Sequence, residues 1–107
     1  MTHYLIQVAY TQSSAKAMMA NPQPREDVIR KTVEALGGKF HSFFFSFGEY
    51  DAYVVFELPD NKSAAALALA VASTGSVSKY VTTVLMTSPE AVEAMKAANK
   101  VSYTPPK

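Results

Sequence analysis

Two histidines, His3 and His41, and the run Gly48-Glu49-Tyr50-Asp51 are the residues of this chain whose types could support acid-base chemistry. Histidine titrates near neutrality without help from its surroundings, so either imidazole is a natural proton carrier. Asp51 would act as a base only where desolvation raised its affinity for a proton. In an enzyme, His41 and Asp51 would be the acid-base groups, with Tyr50 and Tyr53 orienting the substrate. The same run also has a structural role open to it, in which Gly48 gives a turn its permissive backbone and Asp51 supplies local hydrogen bonds.

Other chemistries lack their residues. Cysteine is absent, and the two histidines are well separated with no helical i, i+4 partner, so no metal site is expected. No cofactor is called for, although haem stays compatible because axial ligation asks for a single histidine. There is no nucleophile elbow, phosphate-binding glycine loop or dinucleotide fingerprint, which disfavours hydrolase, kinase and nicotinamide-dehydrogenase activities. Ten basic residues balance nine acidic ones along the chain, so no field recruits nucleic acid or anionic lipid.

These residues need a scaffold, and 49% hydrophobic against 18% charged residues is the composition of a globular core. The length suits one domain over 1–99, followed by a loosely held tail at 100–107. Tyr4 to Thr11 alternates as a strand. Ser13 or Ser14 caps a short helix through Met19, and Pro24 opens a second helix with an apolar stripe of Val28, Ile29, Val33 and Leu36. Gly37 or Gly38 ends it. A hairpin follows, with strands at about Lys39 to Phe47 and Asp51 to Leu58. Asp60 caps an Ala-rich helix to Thr74, Gly75 closes it, and Val77 to Met86 is a fourth strand. Ser88-Pro89-Glu90, read as a cap, a first-turn proline and a dipole-matching acid, then opens a last helix to about Ala98.

The order βαββαβ plus a terminal helix predicts an α+β fold, a four-stranded antiparallel sheet with helices on one face. Within the hairpin, pairing Phe47 with Ala52, Phe45 with Val54 and Phe43 with Phe56 gathers the apolar side chains under the helices and puts His41 with them. Ser42, Phe44, Ser46, Asp51, Tyr53, Val55 and Glu57 then share the opposite side. That mixed face calls for a partner, and a homodimer or higher oligomer is the economical answer. A cavity beside it would take a small apolar or aromatic molecule, oriented by Gln7, Tyr10, Ser42, Tyr50, Tyr53 and Glu57. Met18, Met19 and Met86 could fill gaps. The alternative is a domain that serves oligomerisation alone.

Tyr10-Thr11, Pro24-Arg25, Gly37-Gly38-Lys39, Gly48-Glu49-Tyr50-Asp51, Pro59-Asp60, the Ala/Leu-rich helix and Gly75-Ser76-Val77 occur in an order that resembles the GYD-domain family over roughly Tyr4 to Thr87. The resemblance implies a ferredoxin-like domain of the dimeric α/β-barrel superfamily, in which two subunits pack sheet against sheet. It implies no single activity, since the superfamily includes cofactor-independent monooxygenases, isomerases, haem-degrading enzymes and small-molecule sensors. The start of the chain lacks a basic segment before a long apolar run, and the apolar stretch Ala64 to Ala72 is too short to span a bilayer. The expectation is a soluble, cytoplasmic protein without membrane or nucleic-acid partners.

Overall fold

The structure, a computed structural model, describes residues 1–107. The elements follow as β1 (Thr2–Tyr10), α1 (Gln12–Ala20), α2 (Arg25–Ala35), β2 (Lys39–Phe45), β3 (Ala52–Leu58), α3 (Asn61–Ala72), β4 (Val77–Leu85) and α4 (Ser88–Ala98). The strands form one antiparallel sheet in the order β2-β3-β1-β4, which is the expected ferredoxin-like arrangement. No helix is long and apolar enough to cross a membrane.

Alternation along the two central strands divides the sheet into two faces. Tyr4, Ile6 and Val8 of β1 lie beside Phe56, Val54 and Ala52 of β3, and all six are buried. Val33 of α2 and Ala64 and Leu67 of α3 close over them as one core cluster. The small side chains of α3 let that helix lie close to the strands. On the reverse face, His3, Leu5 and Gln7 sit opposite Glu57, Val55 and Tyr53, and no helix of the chain packs there.

Helix starts are fixed by side-chain oxygens that accept otherwise unpaired amides. Asp60 caps α3 as expected. Thr11 caps α1 in place of Ser13 or Ser14, and Thr87 caps α4 in place of Ser88, forming a reciprocal capping box with Glu90. Pro24 stands at the cap of α2 without a side-chain bond, one position before the helix. Gly37 and Gly75 adopt the left-handed backbone that ends α2 and α3, with φ of 80° and 71°.

The hairpin departs from the expected register by two residues. Phe45 pairs with Ala52, Phe43 with Val54 and Phe40 with Phe56. The connection is longer than a tight turn, running from Ser46 to Asp51 and closed by the Ser46 amide on the Asp51 carbonyl at 2.8 Å. Phe47 is thereby expelled from the sheet and fully exposed. Gly48 has no positive φ, so the turn does not use it for backbone strain. Met19 and Met86 are exposed and fill no gap.

Neither α1 nor α4 has a buried residue. The radius of gyration is 17.1 Å, against about 13 Å for a compact domain of this length, and the long axis reaches 57 Å. Helix α4 therefore stands away from the body, with Val92 and Met95 exposed along it and the exposed 100–107 tail beyond.

Candidate functional site

Two places in the fold gather chemistry, one on each face of the sheet. On the helix-covered face a cavity of about 220 Å³ opens between the sheet and helices α2 and α3. Ile6, Val8, Val54, Phe56, Leu67 and Val71 give it an apolar wall. Polar groups interrupt that wall, among them the Tyr10 and Tyr80 hydroxyls, the Arg25 guanidinium and the side chains of Thr32, Thr74 and Ser76.

The two tyrosines and Arg25 are each set by the element that carries them. Tyr80 lies opposite Val8 in the β1–β4 register, so its ring points under the helices. Its hydroxyl is buried and bonds to no protein group, and burial pushes its pKa up to about 12. Tyr10 ends β1 beside the Phe45 ring. Burial raises its pKa too, opposed by the Arg25 charge. Arg25 is the first residue of α2, bonds through Nη1 to Gln23 Oε1 at 3.3 Å, and pairs with no carboxylate.

On the uncovered face, three adjacent strands bring His3, His41 and Glu57 together. His41 Nε2 lies 2.7 Å from Glu57 Oε2, and His3 Nε2 lies 3.7 Å from the same oxygen. One ligand atom from each of the three falls within 4.8 Å of the others. Facing positions in the register explain His3 and Glu57. His41 arrives by a bulge: Phe40 pairs with Phe56 and Ser42 with Val55, leaving His41 as the extra residue of β2. This overturns the expected placement of His41 on the Phe43 side. The hydrogen bond from His41 holds the Glu57 carboxyl below its ordinary range, assisted by the nearby His3 and Lys39 charges.

The expected acid-base pair is not assembled. Asp51 immediately precedes β3 whereas Glu57, the partner of His41, is near its far end, about 20 Å away at strand rise. Asp51 instead fastens the end of β1, its amide donating to the Val8 carbonyl at 2.8 Å and its Oδ2 accepting from the Tyr10 amide at 2.9 Å. Among the expected ligand residues only Tyr10 lines the cavity. Gln7, Ser42, Tyr53 and Glu57 share the uncovered face. Tyr50 sits in the hairpin connection, edge-on to Tyr53 at 6.4 Å, with Lys79 Nζ 5.7 Å above its ring.

Sequence reasoning missed Tyr80 and Arg25 as pocket groups and missed the meeting of the histidines. The second miss had a signal. Phe40 and Phe43 both pack against the core, and the three-residue step between them breaks the two-residue period of a regular strand. An inserted residue between them is the remedy.

The family model for the GYD domain matches residues 4–95, and the chain belongs to that family. No curated protein and no solved structure matches it.

Proposed function

We propose that this GYD-domain protein is a small-molecule binding module whose ligand occupies the cavity between the sheet and helices α2 and α3. The ligand is a small apolar or aromatic compound carrying one polar or anionic group. The observation that carries this reading is the cavity itself, a largely apolar space whose lining includes Tyr80, a residue with a buried hydroxyl that has no protein partner. A buried polar group left unpaired costs about 1–3 kcal/mol, so a ligand that pairs with it gains selectivity over a purely apolar one. Arg25, free of any carboxylate, adds a charge for an anionic end. A volume of about 220 Å³ exceeds the roughly 150 Å³ that accommodates benzene in an apolar cavity, which suits a substituted ring.

Binding fits these groups better than cofactor-independent oxygenation or isomerisation. Both pocket tyrosines are pushed away from the ionised form, and neither histidine lines the cavity to act as a base or as an axial ligand for haem. Ligand-observed NMR with benzoate and with toluene as probes tests the reading. Benzoate should bind more tightly, and Val71→Trp, which fills the cavity, should abolish its binding while the fold is retained. Unchanged benzoate binding to a folded Val71→Trp protein would sink the proposal.

The uncovered face supports self-association as the companion property. Leu5, Val55, Phe44, Val81 and Leu85 give it apolar area, and α4 projects from the body with its own apolar residues unsatisfied. A second copy of the chain, sheet against sheet, is the occupant that satisfies both features. Sedimentation at micromolar concentration should give a dimer that Phe44→Asp weakens, and a monomeric wild-type chain would remove this part of the reading.

A further inference from the structure

The geometry points to a second, separate site: His3, His41 and Glu57 bind one divalent transition-metal ion on the uncovered face, with zinc as the best-matched ion. Two imidazole nitrogens and one carboxylate oxygen are a donor set that favours zinc and its neighbours over calcium or magnesium, which take oxygen ligands.

The spacing is right for it. Ligand atoms about 2.0–2.1 Å from a tetrahedral zinc stand roughly 3.3 Å from one another. Here the two imidazole nitrogens lie 2.7 and 3.7 Å from one Glu57 oxygen, and the set closes within 4.8 Å. Side-chain rotations that draw the set from within 4.8 Å to about 3.3 Å would place all three on one ion. In the single chain the side chains are 26%, 35% and 15% exposed, so an ion can enter before a second copy covers the face, and three protein ligands leave a fourth coordination position.

The unligated arrangement also leaves His3 poorly served. Its Nε2 is too far from Glu57 for a hydrogen bond, and its Nδ1 is buried without a partner. An imidazole held in that position gains a bond when Nε2 takes a metal. The rings of His3 and His41 stand 5.5 Å apart at 41°, so they converge on Glu57 without stacking on each other.

Backbone structure holds the donors independently of one another. Glu57 and His3 face each other in the ladder of two central strands, and the bulge turns His41 toward them from the edge strand. An ordinary strand at this point would send His41 to the helix side.

The test is zinc titration of the full chain, stripped with a chelator and freed of any affinity tag, followed by calorimetry. The expected result is one equivalent per chain, with His3→Gln, His41→Gln and Glu57→Gln each weakening binding about tenfold or more. Cobalt in place of zinc should give the intense visible absorption of a tetrahedral centre. In the unmodified protein, zinc should shift the ring resonances of His3 and His41 together, a readout that does not depend on a variant folding. Wild-type affinity no tighter than that of the His3→Gln/His41→Gln protein overturns the site. So does a shift in only one ring or in neither, or a stoichiometry of half an equivalent.

Discussion

Gly38, in the link between α2 and β2, is the residue whose replacement the packing forbids most strongly. A methyl at its Cα would run into the backbone carbonyl oxygen of Glu57, would stand 2.6 Å from Leu58 Cδ2 and would press on Val33 Cγ1 at 3.0 Å. The first obstacle cannot move freely, because Glu57 pairs with Lys39 at the start of the β2–β3 ladder. The other two belong to fully buried core side chains. Overpacking of this kind costs about 1–3 kcal/mol, and loss of glycine's unfolded-state freedom returns about 0.4–1 kcal/mol where the backbone is unstrained. Because the closest obstacle is backbone, the upper end of that cost applies, and Gly38→Ala should destabilise the protein by about 2 kcal/mol net. At about 4 °C per kcal/mol for a domain of this size, the midpoint falls by about 8 °C.

Urea unfolding of Gly38→Ala beside Gly48→Ala is the comparison that decides the matter. Gly48 meets nothing closer than Ser46 Oγ at 4.0 Å and has an ordinary φ, so its replacement should change stability by less than about 0.5 kcal/mol. Equal midpoints for Gly38→Ala and wild type would refute the packing argument. A loss at Gly48 as large as at Gly38 would return the strained turn to the hairpin.

Two further outcomes follow from hydrogen bonds. Asp51→Ala removes the acceptor of the Tyr10 amide and should cost about 1–3 kcal/mol by leaving that donor unpaired, whereas Asp51→Asn should restore most of the loss, both read by thermal unfolding. The Glu57, Asp60 and Glu90 carboxyls sit below their ordinary values, Glu57 chiefly through His41 and the other two through the amides and hydroxyls of Ser63 and Thr87. Since their folded pKa values are depressed, their stabilisation is complete above the unfolded carboxylate range and is lost as pH falls through the folded values. Midpoints measured from pH 6 downward should hold until about 4.5 and then decline; a flat profile to pH 2.5 would contradict the pairing.

The order of elements was legible because each boundary carries its own chemistry. Asp60 and the glycines after α2 and α3 mark their ends through effects local to a few residues, and the alternation of β1 is visible without any partner. Which of two neighbouring hydroxyls caps a helix was not legible, since Thr11 and Ser13, like Thr87 and Ser88, offer the same oxygen within a residue or two. Hairpin register was hidden for a stronger reason. Sliding the pairing by two residues leaves every side chain on the same face, so the aromatic pattern alone scores both registers alike, and the Ser46–Asp51 closure decides between them.

The candidate sites divide in the same way. The cavity depends on how far α2 and α3 stand from the sheet, a distance set by side chains on three elements, so Tyr80 could be read as a core tyrosine and nothing more until its unpaired hydroxyl was located. The histidine cluster depends on a single inserted residue. Phe40 and Phe43 pack on the covered face from positions that a regular strand cannot place there together; they reach it only if one residue between them leaves the ladder, and that residue is His41. Core packing thus drives the bulge, and the bulge carries an imidazole to the face where Glu57 and His3 already meet. Hydrophobic demand on one side of the sheet thereby shapes the chemistry available on the other.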